Sequence, residues 1–407
     1  MKYLHTLVFV AMVATSQQAK AETLSLETFI QQALQNSPEA LRIVKDTADV
    51  EGEAVEIEAL ENPTIQVDLT AFEKDASRSV EIEIEQPLRL SDFGTRQAYA
   101  DSLRQARRIE YKAQKLALVH ALTRAYASYW ALQEQEKLLS RNVSYAQDKQ
   151  KLITEAALSG FVDASDAQIF KAEALRLGEQ LRTLRAQKSA AAANLLRSAG
   201  MAQRGFEASR PISPHIPALG GLSSVSGGEA SVKALLESRK VLADRRYALA
   251  RKDAGLSEFT PRAVLERDFD EGSTSLVLGV NVAIPVWNRG RADIAKAMIE
   301  RQLVKSQLNA LNEYNYANFL AVTYEQAKAT QASASTYRNK IVPSWDDVQK
   351  LMDRKFENGQ ASILDLFQMR ERITSVQQES LQSYLESIDA RIALESLIGS
   401  TLMNLEK

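Results

Sequence analysis

The chain has 407 residues, with 50 Lys and Arg against 52 Asp and Glu, so it carries no basic footprint for nucleic acid. It has no Cys, which excludes disulfides, thiolate metal sites and a lipid-anchored N-terminal Cys. Only 9 Pro and 7% aromatics in an Ala-, Leu-, Gln-, Glu- and Arg-rich background favour long helices.

Residues 1–21 read as a targeting segment. Lys2 gives a basic start, Leu7 to Ala14 a short apolar core, and Ala19-Lys20-Ala21 a small-x-small cleavage pattern, so the mature chain is expected from Glu22. No later run of about 18 apolar residues offers a transmembrane helix, and a membrane crossing would have to be made by strands. Ser25 before Leu26-Glu27, and Ser37-Pro38-Glu39, are helix starts: a capping hydroxyl, an acid in the first turn and, in the second, a proline at the first helical position.

Two strands are predicted at residues 64–72 and 79–86. In the second, Val80, Ile82 and Ile84 alternate with Glu81, Glu83 and Glu85, one apolar face and one wet face. A second pair is predicted at residues 262–269 and 275–284, where Leu276, Leu278, Val280, Val282 and Ile284 share a face. Four strands cannot close a membrane barrel, for which about eight is the minimum, but three chains would supply twelve. Open edges cannot face lipid, so closure implies a homotrimer with Glu81, Glu83 and Glu85 lining the lumen.

After each strand pair comes a long helical stretch, Arg96 to Leu158 and Arg291 to Glu357, interrupted only by Pro343; each would span ~90–100 Å. Leu118, Leu122, Ala125, Tyr129 and Leu132 follow the 4-3 seam of a coiled coil, and Val119, Tyr126 and Trp130 make a second stripe, as suits a helix with neighbours on both sides. Pro87 and Pro285 stand 198 residues apart, and the turn glycines Gly160 and Gly359 199, which argues for an internal duplication. The repeats are placed at residues 22–205 and 229–407, joined by a Pro/Gly/Ser-rich connector over 206–228.

Strand pairs, proline exits and Gly-turned helices, written twice, resemble the TolC family of outer-membrane efflux proteins. Residues Leu24 to Pro38 look like its N-terminal helix and turn; Asn62-Pro63, Gln86-Pro87-Leu88 and Ile284-Pro285-Val286-Trp287-Asn288-Arg289-Gly290 are closest to its heavy-metal (CzcC-like) branch. The resemblance spans the mature chain and implies a mainly α fold with a membrane β-barrel. A homotrimer would share a twelve-stranded barrel in the outer-membrane lipid and a long helical barrel in the periplasm. Its partners would be a periplasmic adaptor (membrane fusion) protein and an inner-membrane RND-type pump, its cargo heavy-metal cations, its cofactors none. Drug or polypeptide export on the same fold is the alternative cargo, and a periplasmic structural coiled coil the alternative of another class.

The same resemblance assigns adaptor docking and the periplasmic gate to two hairpin tips, Gly160, Phe161, Val162, Ser165 and Asp166, and Gly359, Ser362, Ile363, Leu364 and Asp365. Asp365 is expected either to line the pore or only to support a helix start. One turn further on, where the best-studied members carry a second acid, this chain has Gln368, and Ala361 stands where their bracing Arg would be. Three isolated His, His5, His120 and His215, and no phosphate loop or nucleophile elbow leave an enzyme without support.

Overall fold

The computed structural model describes residues 22–70, 78–159, 163–202, 206–211, 216, 230–255, 258–284, 290–311 and 313–402. The expected targeting segment, Gly160 to Val162, His215 and Pro285 to Arg289 lie outside them.

The chain begins with β1 (Glu22–Leu24), α1 (Leu26–Asn36) and α2 (Pro38–Glu58). Both predicted caps form: Ser25 accepts from Thr28 N and Ser37 from Ala40 N. The strands β2 (Thr64–Thr70) and β3 (Ser79–Glu85) follow, then a 3-10 turn at Leu90–Asp92. Next come α3 (Thr95–Leu158) and α4 (Ala164–Ser198), then β4 (Phe206–Ala208). The remainder runs α5 (Val232–Asp253), β5 (Glu258–Asp268), β6 (Thr274–Ala283), α6 (Arg291–Ala310), α7 (Glu313–Thr336), a π turn (Tyr337–Ile341), α8 (Val342–Glu357) and α9 (Ile363–Ile398).

Three expectations need correcting. The second long stretch is not one helix like the 64-residue α3, but three. Asn315 Nδ2 takes up the Ala310 carbonyl where α6 ends, and the π turn precedes Pro343, which has no N–H to continue an α ladder. Strand β5 begins four residues before the predicted 262. Pro261 hides this start, because it cannot donate; the Gln86 N–H still bonds its carbonyl, and Leu88 and Phe259 exchange both bonds beyond it. The expected connector opens with β4, which pairs in parallel with β1.

That small ribbon is pinned by aromatics. Phe29, Ile30 and Ala33 of α1 pack with Tyr126, Tyr129, Trp130, Phe206 and Tyr384 in the main core. Buried hydroxyls anchor the irregular backbone: Tyr126 donates to the Leu24 carbonyl, Tyr129 to that of Phe206 (2.7 Å) and Tyr384 to that of Pro211 (2.6 Å). Arg210 stacks on Trp130 and Tyr384, its guanidinium carbon 5.4 and 4.8 Å from the ring centres. The second stripe read from α3 thus faces the N-terminal and connector segments.

The four other strands form one antiparallel sheet in the order β2-β3-β5-β6. Each strand continues into or from a helix, and the helices pack in the same order: α2 on α3, α3 on α5, α5 on α6. From there α3 and α4, and α8 and α9, extend away from the sheet as two helical hairpins. No helix among the described residues is long and apolar enough to cross a membrane.

Candidate functional site

Register divides the sheet into two faces, one mainly apolar with Arg267 opposite Val80 at its end, the other mainly acidic with Val264 opposite Glu83. Ile65 opposes Ile84, Val67 opposes Ile82, and Leu69 opposes Val80; across the next pairings lie Ala263 and Leu265, then Leu278 and Leu276, with Val280 and Val282 beyond. This apolar face is bare: Leu278 is 74% exposed, Leu69 68%, Ile65 and Leu276 65%. Side chains of this kind in a soluble sheet would be covered. Among the described residues the edges β2 and β6 have no strand beyond them.

The opposite face gathers Glu81, Glu83 and Glu85, and adds Asp68, Glu258, Glu266 and Asp268 against one cation among the described residues, Arg262. Arg262 Nη1 reaches Glu83 at 3.3 Å, and Asn281 Nδ2 reaches Glu85 at 3.3 Å. Gly279 makes room for Arg262 to cross the strand: a Cβ there would sit 2.9 Å from its Nε. Glu81 stands between Asp68 and Glu266 in register, with no cation opposite on either side.

The far end of the helices carries the predicted tips. Where α8 stops, Gln360 N bonds Lys355 O (2.8 Å) and Gly359 N bonds Phe356 O (2.9 Å), with Gly359 at φ 70°, a left-handed stop that glycine adopts without a Cβ penalty. Ser362 then starts α9 by a reciprocal cap: its Oγ accepts from Asp365 N (3.1 Å), while the Asp365 carboxylate accepts from Ser362 N (2.9 Å) and Oγ (2.6 Å). These bonds, the Ser362 hydroxyl foremost, hold the Asp365 carboxyl below its ordinary range. At the other tip the cap is Asp163, whose carboxylate accepts from Ser165 N at 2.8 Å, three residues before the Asp166 singled out by spacing. Ser165, Asp166, Ile363 and Leu364 lie in the first turns of α4 and α9, and Ser165 is exposed. Phe170 and Phe367, 4.3 Å between ring centres, bring the two tips side by side.

The structure does not gather the expected pore-lining residues into one group. Glu81 to Glu85 lie in the sheet and Asp365 at the tips, separated by the length of α3, roughly 95 Å.

Sequence reasoning missed a polar cluster just behind the tips. Tyr145 donates to Asp353 (2.8 Å), Arg370 stacks on the Tyr145 ring (4.5 Å) and donates to Asn142 Oδ1 (2.8 Å), and Asn142 donates to Thr374 (3.0 Å). Burial, then the bond to Asp353, pushes the Tyr145 hydroxyl pKa up, and burial lowers that of Arg370. The cluster ties α3 to α8 and α9 beside a groove of about 1030 Å³ bounded by α3, α4 and α9. Its partners are separated by more than 200 residues, so no local spacing announces it.

His120 is buried in a core charge network, not at either site. Its Nε2 lies 3.0 Å from Glu395, which accepts from Leu402 N (2.9 Å) and lies 3.6 Å from Arg391. Among the described residues no group of three His, Cys, Asp or Glu is placed to hold a metal ion.

Residues 235–400 match the profile of the outer membrane efflux protein family, whose members are channels and not enzymes. No curated protein matches the chain. Solved structures do. VceC of Vibrio cholerae is 16% identical at a TM-score of 0.74, covering 92% of this chain and 96% of its own. CmeC, the Campylobacter jejuni outer membrane channel, is 12% identical at 0.73, covering 92% and 85%. The open state of the Neisseria gonorrhoeae MtrE outer membrane channel is 14% identical at 0.68, covering 93% and 89%. The chain therefore has the TolC-like fold, a helical barrel segment joined to a β domain.

Proposed function

We propose that three copies of this chain form an outer-membrane exit duct for an efflux assembly. One observation carries the reading: a four-stranded sheet with an exposed apolar face, an acidic opposite face and two unpaired edges. Such a sheet is unstable alone in water or lipid. Closed with two further copies it becomes a twelve-stranded barrel, its apolar side to lipid and Glu81, Glu83 and Glu85 to the lumen. The helical hairpins would continue the lumen into the periplasm. The matched family profile and the channels sharing the fold support this use.

In this reading residues 1–21 are a removed export signal, and 22–205 and 229–407 two copies of one ancestral unit. The tips, residues 160–166 and 359–365, dock a periplasmic adaptor that joins the duct to an inner-membrane RND-type pump. The duct catalyses nothing. Heavy-metal cations are the proposed cargo, on the branch resemblance of Gln86-Pro87-Leu88 and of residues 284–290, and the acidic lumen face favours cations over anions.

Fractionation followed by sizing in mild detergent tests the reading. A detergent-dependent trimer in the outer-membrane fraction is expected. A monomer or dimer in a detergent-free periplasmic extract would overturn it and favour a structural coiled coil.

A further inference from the structure

The order of the helices under the sheet says what must happen beneath the seam between copies. The strands run β2-β3-β5-β6 and the helices attached to them pack α2-α3-α5-α6, so the edge helices hang below the edge strands. Neighbouring strands are antiparallel throughout. Pairing β2 of one copy with β6 of the next therefore lays α2, which climbs to the sheet, antiparallel to α6, which descends from it.

Both edge helices leave apolar side chains exposed. On α2, Leu41 is 59% exposed and Val44 and Val55 54%; on α6, Ile299 is 66%, Leu303 58% and Met298 45%. The α2 positions 41, 44, 48 and 55 repeat at coiled-coil spacing, and the last three of them, with Gly52 and Tyr111, bound a groove of about 840 Å³. Ile299 and Leu303, four apart, form a single ridge.

Ion pairs across the layer fix the relative height of these faces. Arg104 of α3 bonds both Glu51 (2.9 Å) and Glu58 (2.5 Å) of α2. Helix α3 is levelled with α5 by Arg96–Asp253 and Arg239–Glu110, which puts Arg104 opposite the stretch around Arg245. Arg246–Glu300 and Asp244–Arg301 carry that level on to α6. The turn of α2 holding Gly52 and Val55 thus stands at the height of Ile299 and Leu303.

Two more features agree. Helix α2 carries seven acids and two bases, and α6 four bases and two acids, so the two helices are opposite in net charge. Gly52 sits inside α2, where glycine weakens a helix relative to alanine, yet a Cβ there would meet nothing within 4 Å. Nothing among the described residues requires the notch; a ridge from outside would.

Resting on the trimeric reading above, we infer that α2 and α6 form the periplasmic half of the protomer seam. The partner is a second copy of this chain, joined head to tail, with the Ile299–Leu303 ridge of one copy seated in the Ala48–Gly52–Val55 groove of the next. The contact is heterologous, so three copies can close it into a ring.

The chain has no Cys, so introduced thiols report cleanly. Val55→Cys with Ile299→Cys in one chain should give a covalent trimer on a non-reducing gel after mild oxidation in membranes. Each single variant should stay monomeric on the same gel, because a head-to-tail contact never brings identical positions together. Gly52→Leu, filling the notch in open space, should lower the trimer fraction at least several-fold in detergent while leaving the circular dichroism spectrum unchanged. A detergent-stable trimer with no Val55–Ile299 crosslink, or a Gly52→Leu trimer of full strength, would overturn this seam and spare the duct. Absence of any trimer in the unmodified protein would overturn both.

Discussion

Asp365 belongs to a self-contained device, a serine and an aspartate capping one another at the start of α9. Its sequence signs were all local: a glycine for the left-handed stop, then a hydroxyl and an acid three apart. The other tip was harder to read, because spacing singled out Asp166 whereas the capping carboxylate belongs to Asp163. Ser362→Ala should weaken the first turn of α9 by about 1 kcal/mol, measured as faster amide exchange over residues 363–367. The carboxyls of Asp163 and Asp365 are held below their ordinary 3.8 by bonds to Ser165 and Ser362, backbone first at Asp163 and hydroxyl first at Asp365. A depressed acid contributes stability that is present above its unfolded value and lost as pH falls through its folded one. The tips should therefore keep their exchange protection from neutral pH down to about 4 and lose it below. Protection already lost at pH 6 would contradict the two caps.

At the scale of elements, the local chemistry was legible and the long-range partners were not. Period-two alternation located all four strands of the larger sheet, since one apolar row continues from Ile65 through Ile84 and Ala263 to Leu278. It missed the start of β5 because Pro261 reads as a stop, and no composition shift marked the breaks after Ala310 and at the π turn. The proposed duplication has a further sign that turn spacing left out. Gly200 and Gly399, each just past a helix end, take positive φ, and a Cβ on them would fall 2.1 Å from Asn36 O and Ser231 N. The Tyr145 cluster was invisible because its members come from helices remote in sequence. Tyr145→Phe removes the donor to Asp353 and should cost about 1 kcal/mol. The expected readout is faster exchange in α8 with little change in α4; a uniform loss across both hairpins would place the hydroxyl's role elsewhere.

At the scale of the molecule, the two faces of the sheet make separable predictions. Ile82→Lys puts a charge on the apolar face and should lower membrane assembly by about 2–4 kcal/mol at mid-bilayer depth, whereas Glu83→Gln on the other face should assemble normally. Equal trimer yields from both would mean that no face of this sheet meets lipid. The acidic face makes the stronger claim. Seven acids against Arg262 per chain, repeated threefold in the proposed closed barrel, would surround a lumen whose walls shield them little from one another. In planar bilayers under a potassium chloride gradient, the reversal potential should lie on the potassium side. The Debye length shrinks from about 10 Å at 0.1 M to about 3 Å at 1 M salt, so selectivity should fade as salt rises. Glu81→Gln with Glu83→Gln and Glu85→Gln should move the reversal potential towards zero. Asp365→Asn separates barrel from tip: if the tips are the narrowest point, its shift exceeds that of the triple variant, and if they stand open, the barrel variant dominates. An unmodified channel that passes chloride as readily as potassium would remove these acids from the lumen and turn the sheet around.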